Sequence, residues 1–305
     1  MSTEYIHFTA KQKEAARQTD LVALLQSQGE HLKRSGKEYV WRDGSEKVTV
    51  RGNLWFHQYE RIGGDAVDFV RRFYNMDFPQ AVNFLLGNNG GALPQAEPVK
   101  REPPKPFTLP PKNDNMRRVY AYLLNRRGID REVLSAFVHK GMIYESADYH
   151  NAVFVGYDEK GIARHAHKRG TGSESTYKGN AESCDPRYSF HWTGTDNALY
   201  LFEAPIDMLS FISLHKENWR SHSYAAACCV GDQVLFQMLK ADPGIDTVYL
   251  CMDNDAAGQA ANKRISDKLF IQGIKHEILV PAHKDWNEDL LYDEQEETEC
   301  QTLQL

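Results

Sequence analysis

No stretch of 18 or more consecutive apolar residues occurs in the 305-residue chain, so no ordinary membrane-spanning helix is expected. The first residues, "MSTEYIHFTAKQKEAARQ", lack the apolar core of a secretion signal. Cysteine is scarce. Its five copies (Cys184, Cys228, Cys229, Cys251, Cys300) are too irregularly spaced for a disulfide framework or a zinc site. Three of them sit in apolar runs and read as buried thiols. No internal repeat is visible. With 41% hydrophobic and 26% charged residues, the composition is that of an ordinary soluble chain in a cytoplasmic setting, long enough for about two domains.

An overall basic charge is also missing: the net charge is -6. Its distribution is uneven. Residues 101–195 carry 15 Lys+Arg against 11 Asp+Glu, and residues 196–305 carry 8 against 19. A basic segment joined to an acidic one suits a polyanion and metal ions respectively. Part of the acidic excess is the run "DEQEETE" at 293–299, which reads as a solvated tail.

Proline is concentrated in one place. Residues 88–114 hold seven of the twelve prolines and no hydrophobic periodicity, the composition of an extended, semi-rigid linker. It separates an α+β N-terminal module, residues 1–87, from the rest. In that module "DLVALLQSQG" reads as a short helix closed by Gly29. "EYVWRDG", "KVTVRG" and "LWFHQY" read as strands, and "GGDAVDFVRRFYNMDFPQAVNFLLG" as two helices. Residues 115–195 begin with a helical pair turning at Gly128. A hairpin, "NAVFVGYDEKGIARHAHKRG", follows. From residue 196 to 292 strands and helices alternate, the pattern of an α/β domain with a parallel sheet flanked by helices.

In that last region acids follow the strands. "NALYLF" ends at Glu203, "SYAAACCV" at Gly231-Asp232, and "TVYLCM" at Asp253-Asn254-Asp255. "KHEILV" is followed by Asp285. The carboxyl ends of parallel strands share one edge of the sheet, where ligands bind. Clustered carboxylates repel, so they persist only with a cation or bound protons. Oxygen ligands without His or Cys favour Mg²⁺ or Mn²⁺. The plainer alternative is that such acids cap helices, as Asp255 would before "AAGQAANK", or lie on the surface, as Asp207 would. An EF-hand loop fails, because Ala257 and Arg264 stand at its fifth and twelfth positions. An aspartyl-nucleophile phosphatase would need Asp-x-Asp on the leading strand, which here ends in "EAPID".

The ordered set "LFEAPIDMLS", "CVGDQ", "CMDNDAAGQAA" and "AHKDWNEDL" resembles the Toprim domain of bacterial primases and topoisomerases. The resemblance matches that family's glutamate to Glu203 and its Asp-x-Asp to Asp253 and Asp255. Asp207 and Asp285 match further acids of the primase-type domain, with Trp286 in place of a proline. Upstream, "YLLNRRGID" and "NAVFVGYDEKGIARHAHKRG…STYKGN" are similar to the N-terminal half of a primase core. That family's phosphate-contacting cations match by type Lys168, Arg169 and Lys178, while Thr176 replaces the lysine of its Lys-Tyr pair. "GGDAVDFV" at 63–70 resembles the hallmark of a primase zinc-binding module. The four ligand positions then fall on Trp41, Gly44, His57 and Glu60, and two of these cannot ligate zinc, so no zinc is expected. The core of the module would rest on Trp41, Trp55, Phe56 and Phe69.

The resemblance implies a metal-dependent nucleotidyltransferase of primase type. Its catalytic residues would be Glu203, Asp253 and Asp255, and its metal ligands these three with Asp285 and Asp207. Its partners would be single-stranded DNA, nucleoside triphosphates and a helicase or other replication protein, without a membrane. No helicase-binding domain is expected after the Toprim region, an architecture the resemblance associates with plasmids and other mobile elements. Two alternatives stay open: a Toprim nuclease, and a DNA-binding accessory protein without catalysis.

Overall fold

The computed structural model describes residues 8–43, 46–58, 60, 62–87, 94–96, 105–228 and 231–293. The chain divides into two compact units, Met1–Pro103 and Pro104–Leu305.

The first unit opens with helices α1 (Ala10–Arg17) and α2 (Leu21–Ser27). Thr9 and Asp20 cap them through their side chains. Five strands follow: β1 (Lys33–Ser35), β2 (Glu38–Asp43), β3 (Glu46–Arg51), β4 (Leu54–His57) and β5 (Gly63–Gly64). They form one antiparallel sheet in sequence order. Helices α3 (Ala66–Phe73) and α4 (Phe78–Leu85) begin with full capping boxes at Asp65 and Asp77. The core of this unit gathers Trp41, Val48, Val50, Trp55 and Phe69. Phe56 is not part of it. Strand side chains alternate, so Trp55 and His57 face inward and Phe56 lies 37% exposed. Phe73 takes its place, with its ring 5.2 Å from those of both Trp41 and Trp55.

The proline-rich stretch is only partly described. Residues 88–93 and 97–104 lie outside the described residues, as does nearly all of the acidic tail, 294–305. The described parts are docked rather than free. Gln95 bridges Thr19. Pro110 and Pro111 use their carbonyls to accept from Tyr144 Oη at 2.5 Å and Ala147 N at 2.8 Å. A proline loses its donor and keeps its acceptor, so it serves well along a sheet edge.

The second unit starts with α5 (Arg117–Tyr120), which widens into a π-helical stretch at Ala121–Arg126, and α6 (Arg131–His139). The turn between them uses Gly128 at φ +66°. An antiparallel sheet follows in the order β6 (Ile143–Glu145), β7 (Ala152–Tyr157), β8 (Ala163–Arg169) and β9 (Lys178–Asn180). The last sheet contains β10 (His191–Trp192), β11 (Ala198–Phe202), β12 (Ser223–Ala226), β13 (Thr247–Cys251) and β14 (Lys275–Ile278). Its order is β10-β12-β11-β13-β14. The last four strands are parallel, and β10 adds an antiparallel edge. Helices α7 (Pro205–Leu214), α8 (Gln233–Ala241) and α9 (Ala256–Ile271) connect them. A final helix occupies residues 286–293. The buried runs of β11 and β13 are apolar on both faces, as strands between two layers require. Among the described residues no helix is long and apolar enough to cross a membrane.

Candidate active site

Strand β11 ends at Phe202, which delivers Glu203 to the carboxyl edge of the sheet. Its neighbour β13 ends at Cys251, which delivers Asp253 to the same edge. Pro205 at the first turn of α7 starts the helix at once, and Asp207 sits in that first turn. Every residue of α7 from Pro205 to Ser213 is buried, so Asp207 is only 7% exposed and is no surface residue.

Asp285 reaches the site from further along the chain. The segment carrying it is tied to the end of β13 and the loop after it by three bonds. Asn254 N donates to Lys284 O at 2.8 Å, Asn254 Nδ2 to Pro281 O at 3.2 Å, and Trp286 Nε1 to Cys251 O at 3.0 Å. Trp286 is buried and meets Phe211 edge-on at 4.9 Å, so it anchors the segment by packing.

Glu203, Asp207, Asp253 and Asp285 line one cavity of about 170 Å³. Asp255 does not line it. That side chain caps α9, accepting from Ala257 N and Gly258 N at 2.9 Å each. Gly258 is required there, because a Cβ would stand 2.0 Å from Asp253 O. The start of α9 is thus pressed onto the Asp253 backbone. Asp232 is diverted altogether: it pairs with Lys268 of α9 at 2.8 Å.

The acids hold one another in unfavourable states. Burial, then the charges of Glu203, Asp285 and Asp255, push Asp253 up to about 7. Burial, then the charges of Asp253, Asp285 and Glu203, raise Asp207 well above the usual range, and burial raises Glu203. Asp253 Oδ1 is buried without a hydrogen-bond partner. Among the described residues no three His, Cys, Asp or Glu side chains meet as a ready-made metal cage.

Cations share the lining. Arg169 and Lys178, paired across β8 and β9, line the cavity with Arg127 and Lys284. Lys168 does not, because alternation turns it to the other face of the sheet. Arg127 is fixed in place. It donates to Asn287 Oδ1 at 2.9 Å and to Tyr122 Oη at 3.0 Å. Asn287 Nδ2 in turn donates to Arg127 O at 2.7 Å and to Ser210 Oγ at 2.9 Å. His167 also lines the cavity and pairs through Nδ1 with Asn180 Oδ1 at 2.7 Å. Burial lowers it to about 4, so it is neutral. Arg127, His167, Lys284 and Asn287 carried no assignment from sequence. Each stands beside a residue that the sequence did single out: Arg127 beside Gly128, His167 beside Lys168, Lys284 beside Asp285, and Asn287 beside Trp286.

The N-terminal positions compared with zinc ligands are occupied differently. Trp41 is buried and donates from Nε1 to Glu30 Oε2 at 2.9 Å. Glu60 pairs with Arg72 at 2.8 Å. His57 is buried and accepts at Nδ1 from Glu60 N at 3.0 Å. Gly44 lies outside the described residues.

Residues 200–290 match the family described as Toprim-like. Residues 121–196 match a family described as a protein of unknown function, DUF3991. An uncharacterized protein of Bacillus anthracis is 25% identical over 274 residues, covering 85% of this chain and 79% of that protein. The 65 kDa protein of Zymomonas mobilis is 23% identical over 319 aligned positions, covering 94% of this chain. The chain spans only 53% of that relative's length. Among solved structures, the zinc-binding and RNA polymerase domains of the Aquifex aeolicus primase are 16% identical at a TM-score of 0.40. That alignment covers 96% of this chain and 84% of that one.

Proposed function

We propose that this chain, whose residues 200–290 form a Toprim-like domain, is a primase-like, metal-dependent nucleotidyltransferase acting on single-stranded DNA in the replication or transfer of DNA. The observation that carries the reading is Asp253. Its Oδ1 is buried and unmatched, and the cavity that Asp253 lines is lined by further carboxylates and by cations. An unmatched buried carboxylate oxygen is costly unless something positive is meant to meet it. The donor set is all carboxylate oxygen, which suits a hard divalent ion.

Glu203, Asp253, Asp285 and Asp207 would hold Mg²⁺ or Mn²⁺, and Asp255 would join them through Oδ2, because only its Oδ1 caps α9. When bound, such an ion neutralises phosphate charge and lowers the pKa of an attacking hydroxyl. The remaining residues bind and orient. Arg169, Lys178 and Lys284 present charge to the phosphates of a nucleoside triphosphate or template. Arg127 does so from a locked geometry, so little side-chain freedom is lost on binding. Neutral His167 offers Nε2 as an acceptor, because Nδ1 donates to Asn180. Glu203, with its proton affinity raised, is placed to take or return a proton at its carboxylate. A helicase or another replication protein would deliver the strand.

The test is a gel assay with single-stranded DNA, four nucleoside triphosphates and Mg²⁺ or Mn²⁺. Short new products are expected from the parent chain and none from Asp253→Asn with Asp255→Asn. Shortened DNA without added triphosphates would replace the reading with nuclease activity. Full synthesis by the double variant would sink the assignment of these carboxylates. Binding without either product would leave a non-catalytic accessory protein.

A further inference from the structure

One row of residues, Glu145, Ala152, Arg169 and Lys178, crosses β6 to β9 at a single end of that sheet. Arg169 and Lys178 are the cavity members of the row. Two connections leave the sheet at the same end, the turn 147–150 and the loop 170–177. Each carries an exposed tyrosine.

Tyr149 is 89% exposed and has φ +60°, with His150 beside it at φ +51°. Left-handed backbone at two successive bulky residues is unfavourable, and it persists only where the surroundings hold it. Here they do. Ser146 Oγ donates to Asp148 O at 2.6 Å and accepts from Asn151 N at 3.0 Å. Thr171 Oγ1 donates to His150 O at 2.7 Å, which latches the turn to the loop. Arg126 Nη1 donates to Gly172 O at 2.9 Å, and Gly170 N to Tyr177 O at 2.9 Å.

Tyr177 lies beside Lys178 and is 46% exposed. Its ring rests over Gly179, where a Cβ would stand 3.6 Å from the Tyr177 hydroxyl. Lys168 Nζ lies 5.7 Å from the ring centroid. The ring is therefore backed on one side, with much of its area open to solvent. Arg126, Lys168, Arg169 and Lys178 outnumber the three acids of the same end, Glu145, Asp148 and Glu174, and Glu145 is buried against His150 Nδ1 at 2.7 Å.

We propose that Tyr149 and Tyr177 are stacking platforms for unpaired bases of a single-stranded nucleic acid that passes over this end of the sheet to or from the cavity. An exposed aromatic ring, which at Tyr177 also has Lys168 beside it, suits a base whose own face is free. A duplex hides those faces, so the platforms select a single strand, with little preference among bases. The inference rests on the nucleic-acid reading of the cavity, and it gives Lys168 a role that the cavity does not.

The test is fluorescence anisotropy of a labelled 12-nucleotide oligothymidylate with the whole chain, in chelator and over a range of salt. Tyr149→Ala and Tyr177→Ala are each expected to weaken binding by at least about fivefold. Phe at either position is expected to restore it. The slope of log affinity against log salt should stay unchanged, because no phosphate contact is removed. Tyr149→Gly separates function from structure: it should raise the melting temperature by about 2–4 °C by relieving the backbone and still weaken binding. Ala variants that bind like the parent overturn the platforms, as do Phe variants as weak as Ala. If the parent synthesises or cleaves DNA while the rings prove irrelevant, the platforms alone fall. If binding depends on the rings but no metal yields activity, the platforms stand and the catalytic reading falls. A parent that binds no oligonucleotide at all removes both.

Discussion

Two places in this chain invite comparison with a ligand site, and they have opposite fates. In the N-terminal unit the side chains at two of the zinc-comparable positions, Trp41 and Glu60, are absorbed by the fold. Trp41 packs against Phe69 and Phe73 and satisfies its N–H on Glu30, while Glu60 is neutralised by Arg72. In the Toprim-like domain the acids are not absorbed. Asp253 keeps a buried oxygen without a partner, and its carboxyl is pushed up to about 7 by burial and by its acidic neighbours. Asp232 shows the contrast within one domain, because Lys268 takes it up completely. Unmatched polarity among clustered carboxylates, as at Asp253, points to a ligand; the matched polarity of Asp232 and Glu60 belongs to the fold.

The strongest way to break the comparison is at Trp41. If that unit stands on its aromatic core, Trp41→Ala should cost about 3–5 kcal/mol. Hydrogen exchange of the β2–β4 amides would read this as a loss of protection of roughly a hundredfold or more. Unchanged protection would mean that the unit is held by something other than its core.

The second prediction tests the unmatched acid. The folded-state pKa of Asp253 lies above its ordinary 3.8, at about 7. A carboxyl shifted upward adds stability that is complete below pH 3.8 and is lost as pH rises through 7. At pH 8 the parent therefore carries the full penalty. Asp253→Asn, which never ionises, should be more stable there by of order 2–4 kcal/mol. The advantage should shrink steadily as pH falls from 8 to 4, as followed by thermal melts. Mg²⁺ or Mn²⁺ should raise the melting temperature of the parent at pH 8 and leave that of the variant nearly unmoved. A variant less stable than the parent at pH 8 would contradict the electrostatic account.

The smallest expected effect is chelation of the N-terminal unit. EDTA should leave protection of β2–β4 unchanged, since its stability is assigned to Trp41, Trp55, Phe69 and Phe73. A clear loss of protection in EDTA would reverse the contrast between the two regions.

Much of this was legible in order along the chain. The alternation of apolar strands with helices after residue 196 announced a parallel sheet, and acids after its strands pointed to one edge. Shorter elements left no such trace. β1, β5, β6, β9 and β10 have two or three residues, too few to show an alternation. The docking of Pro110 and Pro111 was hidden for another reason: composition reports what a proline cannot donate, not what its carbonyl will accept. Phe56 was misplaced because hydrophobicity does not say which face of a strand a residue occupies. Arg127 and Lys284 come from segments far apart in sequence, and only their convergence puts them in one lining.

What the sequence determined by itself was local: helix caps at Asp20, Asp77 and Asp255, the turn at Gly128, and the strand ends that carry Glu203 and Asp253. Those choices depend on backbone geometry over a few residues, so neighbours in the chain suffice to express them. The tertiary structure decided which acids meet and which are spent. It turned Asp232 to Lys268 and Asp255 to the start of α9, and it pinned Asp285 beside Asp253 through Trp286 and Asn254. Electrostatic state depends on distance and burial, which a linear sequence does not contain.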